Sequence, residues 1–122
     1  MAARERLICA SSRLVEGGDG VRFDVDLPSG PAPAFVVRHR GVARAFLNRC
    51  AHVPIELDWQ SGRFFDLTGL YLICSTHGAH YEPDTGRCVM GPCKGRGLTP
   101  VAVVERDGNI YLMEKENGQR EE

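Results

Sequence analysis

Apolar and polar positions alternate along much of the chain, and the period is that of strands. In "VRFDVDL", Val21, Phe23, Val25 and Leu27 fall on one face and Arg22, Asp24 and Asp26 on the other. That is the pattern of a half-buried strand. "FVVRHR" and "VARAFLNR" flank Gly41 and read as a hairpin. "TPVAVVERDGNIYLM" reads as a second hairpin turning at Asp107-Gly108, where glycine suits the positive φ of a tight turn. "LICAS" and "LYLICS" are short apolar runs. Gly and Pro punctuate the chain too closely for long helices. The expectation is an all-β fold of short antiparallel strands, a sandwich or barrel-like stack.

One stretch departs from this pattern. From about Asn48 to Lys94 loop residues dominate, and four of the five cysteines fall there. This region is expected as a group of loops above a β base formed by the two ends of the chain. A length of 122 residues suits a single domain, 1–122, with its own core. Fifteen basic and 16 acidic residues leave a net charge of −1, with the basic residues scattered. That gives no electrostatic footprint for nucleic acid. "MAARERLICASS" lacks the apolar core of a signal peptide, and no run approaches the roughly 20 apolar residues of a membrane helix. The chain therefore reads as cytoplasmic, with no membrane contact. In that compartment cysteines are reduced, which favours metal ligands or free thiols over disulfides.

The candidate chemistry lies in two pairs, Cys50-Ala51-His52 and Cys74-Ser75-Thr76-His77, separated by 21 residues. Each pair stands where a strand should end and a loop begin. Two neighbouring loops can thus present two thiolates and two imidazoles to one space. Zinc accepts such a set. The common zinc arrangement, however, groups the cysteines together and places the histidines together on a helix. Mixed loops suit a two-iron centre, with both cysteines on one iron and both histidines on the other. A structural or regulatory module with a zinc or redox-sensing Cys/His site is the alternative. Gly78 and Ala79 are small enough to let the backbone pass close to inorganic sulfides.

"CAH", "CSTHGAHYEPDTG", "GPCKGRGL" and "VVERDGNIYL" together resemble the Rieske ferredoxin family, over about the last two thirds of the chain. The resemblance implies a Rieske-like stack of antiparallel sheets with a small cluster-binding subdomain, here approximately 48–94. It implies one [2Fe–2S] cluster per chain and one-electron transfer, with no catalysis of its own. Cys50 and Cys74 would hold the inner iron, and His52 and His77 the outer one. The implied partners are a flavoprotein reductase and a terminal oxygenase or reductase. Respiratory members add two cysteines that join the ligand loops by a disulfide; those positions here are Ile55 and Thr76. Ala79 stands where their serine donates to a bridging sulfide, and Tyr81 matches a tyrosine that donates to a ligand sulfur. The expected potential lies towards the lower end of the roughly −150 to +300 mV Rieske range. It should fall at alkaline pH, because a ring N–H on an oxidised iron is the more acidic; a flat profile would count against two histidine ligands. A terminal oxygenase also needs a mononuclear iron site. Only His39 and His80 remain for one, so the chain reads as a carrier or accessory subunit.

The other notable residues have plainer readings. His39 and His80 are expected at the surface. Cys9 and Cys88 are expected as small buried residues. Cys93 follows Gly91-Pro92, which resembles the family's proline loop over the cluster. Trp59, Phe64 and Phe65 are expected to pack the inter-loop segment onto the base, with an apolar docking patch as the other reading. "KGRG" (94–97) reads as a solvated turn.

Overall fold

The computed structural model describes residues 3–27, 30–49, 57, 62–66, 68–74, 78–91 and 97–115. Among the described residues, ten strands form three antiparallel sheets. The first sheet joins the chain ends in the order β1 (Ala3–Ala10), β10 (Asn109–Lys115), β9 (Val103–Arg106). The second has the order β2 (Val21–Leu27), β3 (Gly30–His39), β4 (Val42–Leu47), β8 (Pro100–Val101). The third is small, with the order β5 (Leu72–Ile73), β6 (His80–Tyr81), β7 (Cys88–Met90). Among the described residues, helix is limited to one 3-10 turn at Ser11–Arg13, and no helix is long and apolar enough to cross a membrane.

The local signals produce the expected elements. In β2, Arg22, Asp24 and Asp26 are exposed and the alternate apolar residues face inward. Both expected hairpins form, and both turn through two positive-φ residues, Arg40-Gly41 and Asp107-Gly108. Such a turn matches the right-handed twist of its strands. β1 runs well beyond "LICAS". Its polar first half is strand because Ala3 to Leu7 pair with Lys115 to Tyr111, a contact no local pattern encodes.

Arg38 ties the two larger sheets together. Its guanidinium meets both carboxylate oxygens of Glu105, at 3.1 and 2.9 Å, and donates to the carbonyls of Leu14, Gly41 and Ser11. Arg38 holds the Glu105 carboxyl below the usual range, with Ser11 assisting. An apolar cluster matters more for the site. Phe35, Val37 and Phe46 of the base pack with Leu57, Phe64, Leu72, Cys74, Ala79, Tyr81, Cys88 and Leu98. Phe64 stacks on Phe35 with centroids 4.0 Å apart. The small sheet therefore sits on the base through a shared aromatic core.

Candidate metal centre

Cys74 follows directly on β5, and its side chain is fully buried. β5 stops after two residues because the chain closes on itself there. The Cys74 N–H donates to the Ala79 carbonyl at 2.9 Å, and the Gly78 N–H donates to the Cys74 carbonyl at 2.8 Å. The loop is held from outside as well. Ile73 N–H donates to the Phe64 carbonyl at 2.8 Å, and Phe65 bridges to Leu72. Tyr81 and Ala79 are fully buried in the same apolar cluster as Cys74.

Two glycines shape this loop for different reasons. Gly78 has φ 73°, and a Cβ there would meet no described atom within 4 Å. Among the described residues, its glycine is thus required by backbone conformation rather than by crowding. Gly91 is required by crowding as well: a Cβ there would come within 2.8 Å of the Ala79 Cα. The backbone after β7 rests directly on the loop that follows Cys74.

Three of the four predicted ligands, Cys50, His52 and His77, lie outside the described residues. So do Ile55, Thr76, Trp59, Cys93 and residues 94–96 of "KGRG". Among the described residues no group of three or more His, Cys, Asp or Glu side chains is arranged to hold a metal ion. What is described fits a thiolate ligand: Cys74 takes no part in a disulfide and is buried in apolar surroundings, on a loop closed at both ends.

A residue that sequence reasoning passed over frames the first loop. Asn48 is almost completely buried, and its Oδ1 accepts from the Leu57 N–H at 2.9 Å. Its own N–H donates to the Pro33 carbonyl of β3 at 2.9 Å. One side chain thus closes the segment from Asn48 to Leu57, which contains Cys50 and His52. The available signal was an Asn placed just beyond a hydrophobic strand, a residue type suited to local backbone bonding.

Several plainer expectations change. His39 is buried rather than at the surface, because Phe65 and the 82–85 turn cover the end of β3. Its Nε2 lies 3.7 Å from Asp84 Oδ1, and its Nδ1 is buried without a partner among the described residues. His80 is only 20% exposed at its side chain, facing Asp66 rather than open solvent. Phe64 and Phe65 pack as expected, the first fully and the second partly buried. Cys9 is a buried free thiol, pushed upward in pKa by that burial. Cys88 is buried as expected, but it is disulfide-bonded. The expectation of a reduced thiol there rested on cellular compartment, which the chain itself does not dictate.

An open cleft beside the loop is lined by Glu16, Arg40, Asp66, Tyr71, Glu82 and Asp84, among others. Its carboxylates are occupied within the protein. Glu16 accepts from the N–H groups of Gly41 and Arg40, which hold its carboxyl below the usual range. Glu82 accepts from Thr85. Asp84 lies 3.6 to 3.8 Å from Arg40, His39 and Arg44.

Comparison with known proteins agrees with this geometry. Among solved structures, the chain is similar to the ferredoxin of carbazole 1,9a-dioxygenase from Nocardioides aromaticivorans IC177. The TM-score is 0.72 at 25% identity, covering 91% of this chain and 98% of that one. A ferredoxin from Sphingomonas yanoikuyae B1 has the same fold, with TM-score 0.72 at 18% identity, covering 92% and 100%. Dicamba monooxygenase is similar over 93% of this chain but only 34% of its own, with TM-score 0.66 at 23% identity. No curated protein matches closely enough to count as a relative. Residues 6–105 match the Rieske [2Fe–2S] domain, and the chain belongs to that family.

Proposed function

We propose that this chain is a one-electron carrier that holds one Rieske [2Fe–2S] cluster on Cys50, His52, Cys74 and His77 and serves a terminal oxygenase. The observation that carries the reading is the second ligand loop. There a fully buried cysteine outside any disulfide, Cys74, sits in a closed turn, within a chain matching the Rieske domain over residues 6–105. Residues of about 48–94 act as the cluster-binding subdomain of a single 1–122 domain.

In this reading Cys50 and Cys74 bind one iron as thiolates, and His52 and His77 bind the other as neutral imidazoles. The cluster supplies a centre that takes up and releases one electron. The chain sets how easily it does so. Two neutral ligands leave less negative charge at the site than four thiolates, so an added electron is better tolerated. Ala79 has no hydroxyl to donate to a sulfide, which keeps the potential towards the lower part of the Rieske range. Tyr81 is buried in the apolar cluster that surrounds Cys74, the surroundings expected of a donor to a ligand sulfur.

A solved complex of reduced oxygenase and oxidised ferredoxin, from carbazole 1,9a-dioxygenase, is similar to this chain at 25% identity and TM-score 0.68, covering 92% of this chain and 95% of that one. It supports an oxygenase as electron acceptor. A flavoprotein reductase is the donor this role requires. The zinc-module alternative has no observation in its favour.

Purified protein should be red-brown, with two irons and two sulfides per chain and a Rieske-type paramagnetic signal on reduction. A colourless protein with one zinc per chain would end the reading. His77→Ala should abolish or alter the signal, and an unchanged spectrum would mean that the ligand set is wrong.

A further inference from the structure

We infer that His80 is a positioning residue for the cluster, acting through the Gly78 peptide; this rests on the cluster reading above. Its Nδ1 lies 2.9 Å from the Gly78 carbonyl oxygen. A carbonyl only accepts, so Nδ1 carries the proton in this contact. Nε2 lies 3.6 Å from Asp66 Oδ2, with the two side chains only 20% and 13% exposed. The Tyr71 ring stands edge-on to the imidazole at 6.1 Å.

Asp66 is itself fixed. Its Oδ1 accepts from the Thr68 hydroxyl at 2.6 Å and from the N–H groups of Thr68 and Gly69 at 3.2 and 3.1 Å. Its own N–H donates to the Tyr71 carbonyl at 2.9 Å. Burial pushes its carboxyl up, but hydrogen bonds from Thr68 and Tyr71 outweigh this and leave it below the usual value. A rigid turn therefore holds Asp66, Asp66 faces His80, and His80 grips the Gly78 carbonyl.

The grip matters because of where Gly78 stands. It follows His77 directly, and its N–H already donates to the Cys74 carbonyl. With its carbonyl held too, the Gly78–Ala79 peptide plane has little freedom. The described peptides are trans, and in a trans peptide C=O and N–H point opposite ways. Holding the carbonyl towards His80 thus also fixes the Ala79 N–H. Peptide dipoles beside an iron–sulfur cluster alter the energy of the added electron.

The test is a redox titration of the cluster-loaded protein, read by its visible and paramagnetic spectra, with the rate of iron release to a chelator. Unmodified protein is measured first: a sample without a Rieske signal refutes the cluster reading, not this one. His80→Ala should displace the potential and speed iron release several-fold. His80→Asn places an amide N–H near the position of Nδ1 and should restore most of both. Asp66→Asn should give a smaller displacement in the same direction as His80→Ala. If His80→Ala does not fold, His80→Gln replaces it, since its amide lies near Nε2 and cannot serve Gly78. Potential and iron release equal to the unmodified protein in His80→Ala, or in both His80→Gln and His80→Asn, overturn the inference.

Discussion

The β base and the candidate ligand loops are built on opposite terms. β1, β2, β3, β4 and β10 are six to ten residues long and pair along extended ladders, that of β1 with β10 shifting register once between Leu7 and Cys9, so each holds its place through many contacts. β5, β6 and β7 are two or three residues long. Single contacts fix the geometry around them: Asn48 to Leu57, His80 to Gly78, and Gly91 against Ala79. The base stores stability redundantly, whereas the site depends on individual atoms. Changes in the base should therefore act on folding, and changes around the loops on the metal centre.

The strongest challenge to that contrast lies where the two regions meet. Phe35 is fully buried and stacks on Phe64. Phe35→Ala should cost about 3–5 kcal/mol, visible in urea unfolding of both the cluster-free and the loaded protein. Loss of the cluster with unfolding unchanged would mean that the two regions do not share a core.

Asn48→Ala is the sharper probe of the loop side. It leaves the Leu57 N–H buried without its acceptor, at a cost of about 1–3 kcal/mol. Iron retention should fall more than the urea midpoint of the cluster-free chain. Equal losses in both would place Asn48 in the base rather than with the site.

A smaller effect belongs to the base alone. Arg38 holds the Glu105 carboxyl below its ordinary range. A depressed carboxylate contributes stability that is present above its unfolded value, near 4.3. That contribution is lost as pH falls through the depressed folded value. The pair is partly exposed, so it amounts to about 1 kcal/mol or less. Melting temperatures followed downward from about pH 6 should fall less steeply in Glu105→Gln than in the unmodified protein. Identical slopes would remove Glu105 from the account.

Cys88 is disulfide-bonded, whereas Cys9 and Cys74 take no part in a disulfide. If Cys50 binds iron as proposed, Cys93 is the expected partner. Peptide mapping without reduction should find a Cys88–Cys93 link. A Cys88–Cys50 link would contradict the ligand set.

Much of the base was legible because its signals are local. Alternation in 21–27 and the glycine turns at Gly41 and Gly108 specify strands and hairpins from neighbouring residues alone. The C-x-H and C-x-x-H spacings are equally local, and they point to the metal chemistry without any coordinates. His39, Asn48 and His80 were not legible as buried or bonded groups. Each is polar, and its environment is set by residues from 2 to 45 positions away: Leu57 for Asn48, Gly78 and Asp66 for His80, and Phe65 and Asp84 for His39.

The sequence by itself determined the all-β character, the two hairpins and the candidate ligands, because backbone preference and donor chemistry belong to individual residues and their spacing. Only the tertiary structure decided which polar side chains leave water and what they grip. Burial is a property of packed segments, and a hydrogen bond across a loop exists only once both of its ends have been placed.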